Sequence, residues 1–104
     1  MEVFIPVARV GEIPEGALKP AELSGRRVVV ANAGGRHFVF VRNCPHAQAD
    51  LAEGEIRDGQ VICNNHGFRF DLESGKCKLP DDGPDLTVLP VVEREGAVCV
   101  KISW

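Results

Sequence analysis

The sequence predicts an all-β domain built from short antiparallel strands. Brief runs rich in Val, Ile and Phe recur along the 104 residues, and turn residues such as Gly, Asp and Pro separate them at short intervals. This alternation is typical of many-stranded antiparallel folds. The 3.6-residue period of an amphipathic helix is nearly absent. The one plausible helical turn is formed by residues 19–23 and ends at Ser24-Gly25.

Turn residues place four hairpins along the chain. Gly34-Gly35 lies between predicted strands 26–31 and 37–41, and such a pair readily adopts the positive φ of a tight turn. Three further turns separate 55–57 from 60–62, 68–70 from 76–79, and 86–93 from 97–104: Asp58-Gly59, Ser74-Gly75 and Glu95-Gly96. Alternation in the last strand predicts one buried face that carries Val98, Val100, Ile102 and Trp104.

Length and composition indicate a single domain, residues 1–104. A chain of this length with 44% hydrophobic residues forms one modest core and is too short for two domains. The first residues include the charged Glu2 and Arg9 and no long apolar run, so we expect a cytoplasmic protein with neither signal peptide nor membrane span. The net charge of −3 disfavours nucleic acid or an anionic membrane as partner and favours a basic protein.

Two short segments carry side chains of the types that bind metals. One sulfur and one nitrogen come from each of Cys44-Pro45-His46 and Cys63-Asn64-Asn65-His66, which are separated by the 16 residues 47–62. Cysteines of a cytosolic protein are usually reduced, so metal ligation is a better interpretation than disulfides. The mixed order suits a two-iron cluster in which two thiolates bind one iron and two imidazoles bind the other, because each segment then reaches both metals.

Two other interpretations of these four side chains are open. Two cysteines and two histidines also complete a tetrahedral zinc site, although zinc modules usually group like ligands together. Alternatively, the cysteines are small packing residues and the histidines lie on the surface. The interleaved order of sulfur and nitrogen favours the iron–sulfur interpretation.

The residues around the candidate ligands closely resemble the Rieske pattern of Cys-x-His, a spacer of similar length and Cys-x-x-His-Gly. The matching segments are 44–46, 51–54, 61–71 and 74–76, and the resemblance extends to nearly the whole chain. It implies two packed antiparallel sheets plus a small cluster-binding subdomain at about residues 42–83. It also implies one [2Fe-2S] cluster bound by Cys44, His46, Cys63 and His66.

Four positions distinguish this chain from the Rieske proteins of respiratory chains. Those proteins have a further cysteine in each loop and join the loops by a disulfide, whereas this chain has Ala49 and Asn65. They also carry a Ser and a Tyr that donate hydrogen bonds to sulfur, whereas this chain has Phe68 and Phe70. Because such donors stabilise the reduced cluster, their absence predicts a potential near the low end of the Rieske span of about −150 to +300 mV.

By the same resemblance we expect an electron-transfer component and not an enzyme. Soluble ferredoxins of this kind carry single electrons from a flavin-containing NAD(P)H reductase to a terminal oxygenase, and we expect a monomer that contacts both partners transiently. A self-contained oxygenase needs a second, mononuclear iron site, and no histidine follows His66 in this sequence. The glycine fingerprint of a dinucleotide-binding domain is also absent from it.

Two alternative functions remain open. One is a Rieske-like small subunit of a nitrite-reductase-type complex, which would bind its partner permanently. The other is a zinc-stabilised or metal-free interaction module that keeps the fold without electron transfer.

Acidic residues near the candidate ligands suggest a docking hypothesis. Loop 79–85 resembles the family's proline-containing loop, which covers the cluster from a third side. An acidic collar that attracts a basic partner would consist of Asp81, Asp82 and Asp85 together with Asp50, Glu53 and Glu55. We favour the simpler interpretation that these are solvated loop charges. Outside the site, structural or packing roles are expected for His37, Cys77 and Cys99.

Overall fold

Eleven antiparallel strands dominate this computed structural model, which describes residues 1–45, 49–64 and 67–104. The strands are β1 Glu2–Arg9, β2 Leu18–Leu23, β3 Arg26–Ala33, β4 Arg36–Val41, β5 Glu55–Arg57, β6 Gln60–Ile62, β7 Arg69–Asp71, β8 Cys77–Leu79, β9 Val88–Leu89, β10 Val91–Arg94 and β11 Ala97–Ser103. Single 3-10 turns are formed by Val10–Glu12 and Leu51–Glu53. The predicted all-β antiparallel class is confirmed. Within the described ranges, no helix has the length and apolar character needed to cross a membrane.

The described strands form three sheets, in the orders β1-β11-β10, β2-β3-β4-β9 and β5-β6-β7-β8. The first two are the layers of the predicted sandwich, and the third is a smaller sheet whose strands have three residues each. The strand predicted at residues 86–93 is in fact two strands that belong to different sheets. Pro90 separates β9, which pairs with β4, from β10, which pairs with β11. Proline cannot donate a ladder hydrogen bond, so the chain changes sheets there.

The sheet β2-β3-β4-β9 lies between two apolar cores. Val28 and Val30 of β3 pack with Val98 and Val100 of β11 in one core. The intervening Val29 of β3 packs in the other core, with side chains of the small sheet and its loops. Because both faces of β3 are covered, its central residues are buried continuously and show no polar alternation.

Two predictions near the chain's ends are wrong. The expected helical turn at residues 19–23 is part of β2, which pairs with β3 along its whole length. Since β2 is an edge strand, Pro20 fits without breaking a ladder, and pairing with β3 outweighs the weak local preference for a turn of helix. Trp104 follows β11 and is 70% exposed, so it lies outside the core, whereas Val98 and Val100 are buried as predicted.

All four predicted turns are present at the predicted residues. Both central residues have positive φ in three of them, at Gly34-Gly35, Asp58-Gly59 and Glu95-Gly96, as type I′ hairpin turns require. The fourth, at Ser74-Gly75, connects β7 to β8. These turns set the registers of strands that carry the site.

The turn after β7 is held by the carboxylate of Asp71. Its Oδ2 accepts hydrogen bonds from the backbone N–H of Ser74 at 2.8 Å and from the Ser74 hydroxyl at 2.9 Å. The backbone N–H of Ser74 is the main reason why the pKa of Asp71 lies below its ordinary value. A carboxyl group whose pKa is lowered by folding stabilises the folded chain above its unfolded pKa of about 3.9, and this stabilisation is lost as the pH falls through the folded value.

We predict that Asp71→Ala lowers the free energy of unfolding by about 1 kcal/mol at neutral pH, because the turn N–H loses its acceptor. The difference from wild type should shrink as the pH falls below about 4, where the wild-type carboxyl is protonated first in the unfolded chain and, at lower pH, in the folded chain. Urea unfolding followed by circular dichroism at several pH values measures both effects. Asp81→Ala is the control, since Asp81 is exposed. A difference that is independent of pH would contradict this account.

Candidate metal centre

Cys44 stands at the base of a loop that follows β4. Its backbone N–H donates to the carbonyl of Ala49 at 2.9 Å, and the backbone N–H of Leu51 donates to the carbonyl of Arg42 at 2.8 Å. An isolated antiparallel bridge joins Asn43 to Asp50. These bonds close the loop on itself, and Cys44 at its base is fully buried.

Cys63 occupies the equivalent position in a second loop. It directly follows β6, and its backbone N–H donates to the carbonyl of Phe68 at 2.8 Å. The ladder between β6 and β7 continues from there, with Ile62 opposite Arg69. In both loops the closing bond runs from the cysteine to the residue five positions later, and Cys63 is also fully buried.

The structure brings the two cysteines into one apolar core. Cys44 and Cys63 pack there with Leu51, Phe70 and other buried side chains. The donor chemistry fits the iron–sulfur interpretation, because two thiols from separate loops converge where apolar side chains exclude water. On the solvent side, a cleft of about 390 Å³ runs beside the second loop between Ile62 and Gly67.

The histidine ligands of the prediction, His46 and His66, lie outside the described residues. Their role therefore stays a prediction. Gly67, which follows position 66, has a φ of +69°, a backbone conformation that glycine adopts more readily than other residues.

The third cysteine of this core, Cys77, anchors the loop of residues 79–85. Its thiol donates to the carbonyl of Pro80 at 2.9 Å, and its backbone N–H donates to Oδ1 of Asp85 at 2.9 Å. Burial is the main cause that raises the pKa of the Cys77 thiol, and Cys77 packs in the same core as Cys44. This loop therefore begins beside the site, while the expectation that it covers the cluster stays a prediction.

Sequence reasoning missed the main role of Asp50. Its carboxylate accepts a two-pronged hydrogen bond from the Arg42 guanidinium, at 2.8 Å from Nε and 2.6 Å from the terminal nitrogen. It also accepts the backbone N–H of Ala52 at 2.9 Å. The bond to Arg42 is the main reason why the pKa of Asp50 lies below its ordinary value, and it raises the pKa of Arg42. The sequence offers one signal for this contact, because the acidic Asp50 follows the loop that begins with Arg42-Asn43-Cys44.

The structure shows which of the six acids in the collar hypothesis are exposed and which have contacts within the chain. Asp50 and Asp85 are engaged in hydrogen bonds within the chain. Asp50 is partly buried, whereas the other five acids are exposed: Glu53, Glu55, Asp81, Asp82 and Asp85. A partner would therefore meet these five exposed acids, of which Asp85 and Glu55 also have contacts within the chain.

Gly54 brings the two loops into backbone contact. A Cβ at this position would lie 2.2 Å from the carbonyl oxygen of Ile62, the residue before Cys63, and 3.3 Å from that of Leu51. Real Cβ atoms do not approach so closely, so only glycine allows the 3-10 turn after the first loop to lie against β6.

His37, for which a structural or packing role was expected, is buried. Its Nδ1 lies 3.1 Å from a carboxylate oxygen of Glu93, so that the pair joins β4 to β10 across the sandwich. Its Nε2 has no hydrogen-bond partner among the described residues. The pair is part of the scaffold and not of the candidate centre.

Comparison with protein families matches residues 3–92 to the model described as Rieske [2Fe-2S] domain. The biphenyl dioxygenase ferredoxin subunit of Pseudomonas sp. (strain KKS102) is 30% identical over 101 residues, which are 96% of this chain and 93% of that protein. The ferredoxin component of biphenyl 2,3-dioxygenase from Rhodococcus jostii (strain RHA1) is 34% identical over 87 residues, 83% of this chain and 79% of that protein.

Solved structures show the same fold. The ferredoxin of Sphingomonas yanoikuyae B1 superposes with a TM-score of 0.88 over 97% of this chain and 100% of that chain, at 24% identity. Other relatives are much longer oxygenases, and the chain spans 24% of a vanillate O-demethylase oxygenase subunit and 17% of an aminopyrrolnitrin oxygenase, both from Pseudomonas.

We predict that Gly54→Ala destabilises the protein by about 2 kcal/mol, because the new methyl group forces two backbone segments apart. Thermal unfolding of wild type and variant measures the loss. Gly11→Ala is the matched control, since a Cβ built there meets no described atom within 4 Å. Equal unfolding temperatures for Gly54→Ala and wild type would show that the loops are not in contact as described.

Proposed function

Because this chain belongs to the Rieske [2Fe-2S] family, we propose that it accepts single electrons from a flavin-containing NAD(P)H reductase and passes them to a terminal oxygenase. The observation that supports this most directly is the pair of buried thiols, Cys44 and Cys63, at equivalent positions of two loops that face one core. The expected family membership and [2Fe-2S] cofactor are confirmed by the family match.

In this proposal Cys44 and Cys63 hold one iron of the cluster, and His46 and His66 hold the other. The bound cluster supplies a site that takes up and releases one electron. The chain's own contribution is to present two thiolates from loops closed at their bases and to exclude water from the sulfur side. Cys77 and Cys99 are not ligands.

The set of ligands determines whether the reduction potential is higher or lower than that of a cluster bound by four cysteines. Two ferric irons, two sulfides and two thiolates sum to zero charge with neutral imidazoles, whereas a cluster with four thiolates starts at −2. Reduction is therefore easier here than in a four-cysteine ferredoxin. Phe68 and Phe70 offer no side-chain hydrogen bond to sulfur, so we place the potential at the low end of the Rieske span.

The relatives support a mobile carrier over the alternatives. The ferredoxin subunits match over most of their own length, which confirms an electron-transfer component and not an enzyme. Their names place them in dioxygenase systems, and we infer an oxygenase as the electron acceptor of this chain. The reductase, the monomeric state and the cytoplasmic location are further parts of the proposal. No described feature favours the nitrite-reductase-type subunit, and the family match does not support the zinc module.

We predict that Cys44→Ser and Cys63→Ser purify with less than about a tenth of the wild-type iron, because serine is a poor substitute for a thiolate ligand. Cys77→Ser and Cys99→Ser are matched controls, since both residues are also buried cysteines, and they should keep the full cluster. Iron and acid-labile sulfide per chain, with the visible absorbance, measure the outcome. A cluster retained in Cys44→Ser would refute the ligand assignment.

We predict a wild-type midpoint potential below zero and a higher one in Phe70→Tyr. The added hydroxyl supplies a hydrogen-bond donor in the core that holds both cysteines. Potentiometric titration of the reduced-cluster EPR signal measures both values. Phe4→Tyr on β1, a strand of the sheet β1-β11-β10, is the control and should leave the potential unchanged. A clearly positive wild-type midpoint would be inconsistent with the low-potential assignment.

If the exposed acids form a docking surface, electron-transfer rates to the oxygenase should fall as ionic strength rises. Reversing Asp81 and Asp82 to Lys should slow the low-salt reaction several-fold, whereas reversing the exposed acids Glu22 and Glu95, which lie outside the collar, should leave it unchanged. Stopped-flow kinetics over a salt series tests this. Rates that are insensitive to both salt and charge reversal would eliminate the collar.

A further inference from the structure

The two loops of the candidate centre are anchored unequally by the backbone. The second loop continues the β6/β7 ladder, in which three residue pairs face each other, and β8 flanks β7 on its other side. Among the described residues, the first loop has one isolated bridge, between Asn43 and Asp50, together with the closing bond of Cys44 and the bond between Leu51 and Arg42. At its entry the backbone N–H of Arg42 also donates to the carbonyl of Arg27 at 3.2 Å, but no ladder continues through the loop as it does at β6/β7. Backbone pairing alone therefore holds the first loop less firmly.

An ion pair crosses the base of this weaker loop. Arg42, two residues before Cys44, donates from Nε and from a terminal nitrogen to the two oxygens of Asp50, at 2.8 and 2.6 Å. Both side chains are about three-quarters buried, with 23% and 26% of their surface exposed. Two parallel charge-assisted hydrogen bonds fix orientation as well as distance, and partial burial reduces their screening by salt.

Asp50 also connects the first loop to the second. Its carboxylate accepts the backbone N–H of Ala52 and so begins the 3-10 turn Leu51–Glu53. Leu51 is fully buried in the core that contains both cysteines. The turn ends at Gly54, whose backbone lies against the carbonyl of Ile62, the residue before Cys63.

We propose that Arg42 and Asp50 are positioning residues of the metal centre. Their two-pronged ion pair fixes the base of the first loop and, through the 3-10 turn and Gly54, the placement of the Cys44 sulfur relative to that of Cys63. The pair acts through the loop and has no need to touch the cluster. This inference rests on the proposed ligand role of the two cysteines.

Arg42→Lys tests the geometry of the pair separately from its charge. Lysine keeps the positive charge but cannot bind both carboxylate oxygens in parallel. We expect the purified holoprotein of Arg42→Lys to release iron to excess chelator at least about tenfold faster than wild type, which corresponds to about 1.4 kcal/mol. The reduced EPR features should broaden, because a loosely held loop samples more cluster geometries.

Asp50→Asn provides a second variant in case Arg42→Lys does not fold, as judged by circular dichroism. It should also release iron at least about tenfold faster than wild type. The double variant should release iron no faster than the faster single variant, since both substitutions break the same contact. If the increase in release rate of the double variant equals the product of the two single-variant increases, the two substitutions act independently. That result would contradict a shared role.

Another Arg–carboxylate pair of the same subdomain serves as the matched control. Arg57 and Glu55 lie 3.4 Å apart on the surface, with 59% and 57% of their side chains exposed. Arg57→Lys and Glu55→Gln should leave iron release within about twofold of wild type, as expected for an exposed pair.

The outcomes separate this inference from the proposed function. If Arg42→Lys and Asp50→Asn release iron within about twofold of wild type while Cys44→Ser holds no cluster, the positioning role is refuted and the ligand assignment stands. If Cys44→Ser keeps a wild-type cluster, both are refuted. Faster release in Arg42→Lys and Asp50→Asn, with unchanged release in the Arg57 and Glu55 controls, supports the positioning role.

Discussion

The central strand β3 packs against other layers on both of its faces, and the candidate centre depends on this packing. Val28 and Val30 contribute to the sandwich core, while Val29 and Ala31 contribute to the core that contains Cys44 and Cys63. Each fully buried valine of this kind contributes about 1.5–3 kcal/mol of apolar burial. The sheet β2-β3-β4-β9 therefore lies on one side of the core that contains Cys44 and Cys63, and the small sheet β5-β6-β7-β8 lies on the other side.

The burial of Cys44 and Cys63 among apolar side chains also bears on the net charge that a cluster bound there could carry. A mixed thiolate and imidazole donor set leaves the oxidised cluster without net charge, so an apolar core accommodates it more readily than a cluster of charge −2. If the cluster is bound as we propose, reduction would place one negative charge in that core, where a low dielectric would penalise it. In the proposed assignment, Phe68 and Phe70 supply no side-chain hydrogen-bond donor that would offset this cost, which is why we propose a carrier of low potential.

Much of the fold was predictable because local chemistry controls the hairpins. Pairs such as Gly34-Gly35 and Asp58-Gly59 have the positive φ values that their turns require, and the turn positions were correct. Long-range packing determined what could not be read from the sequence. Residues 19–23 form a strand because β3 offers a partner, and Asp50 acts inside the chain because the fold brings Arg42 to it. The presence of Cys44 and Cys63 in one core agrees with the prediction from their spacing, whereas the ion pair between Arg42 and Asp50 was not predicted.

The EPR spectrum of the purified, chemically reduced protein, prepared with ¹⁵N-labelled histidine, tests the central claim most directly. Mixed ligation predicts a rhombic signal whose average g lies below the free-electron value, with hyperfine coupling to two histidine nitrogens. A colourless protein without this signal, or a reduced cluster whose spectrum shows no histidine coupling, would contradict a Rieske centre on Cys44, His46, Cys63 and His66.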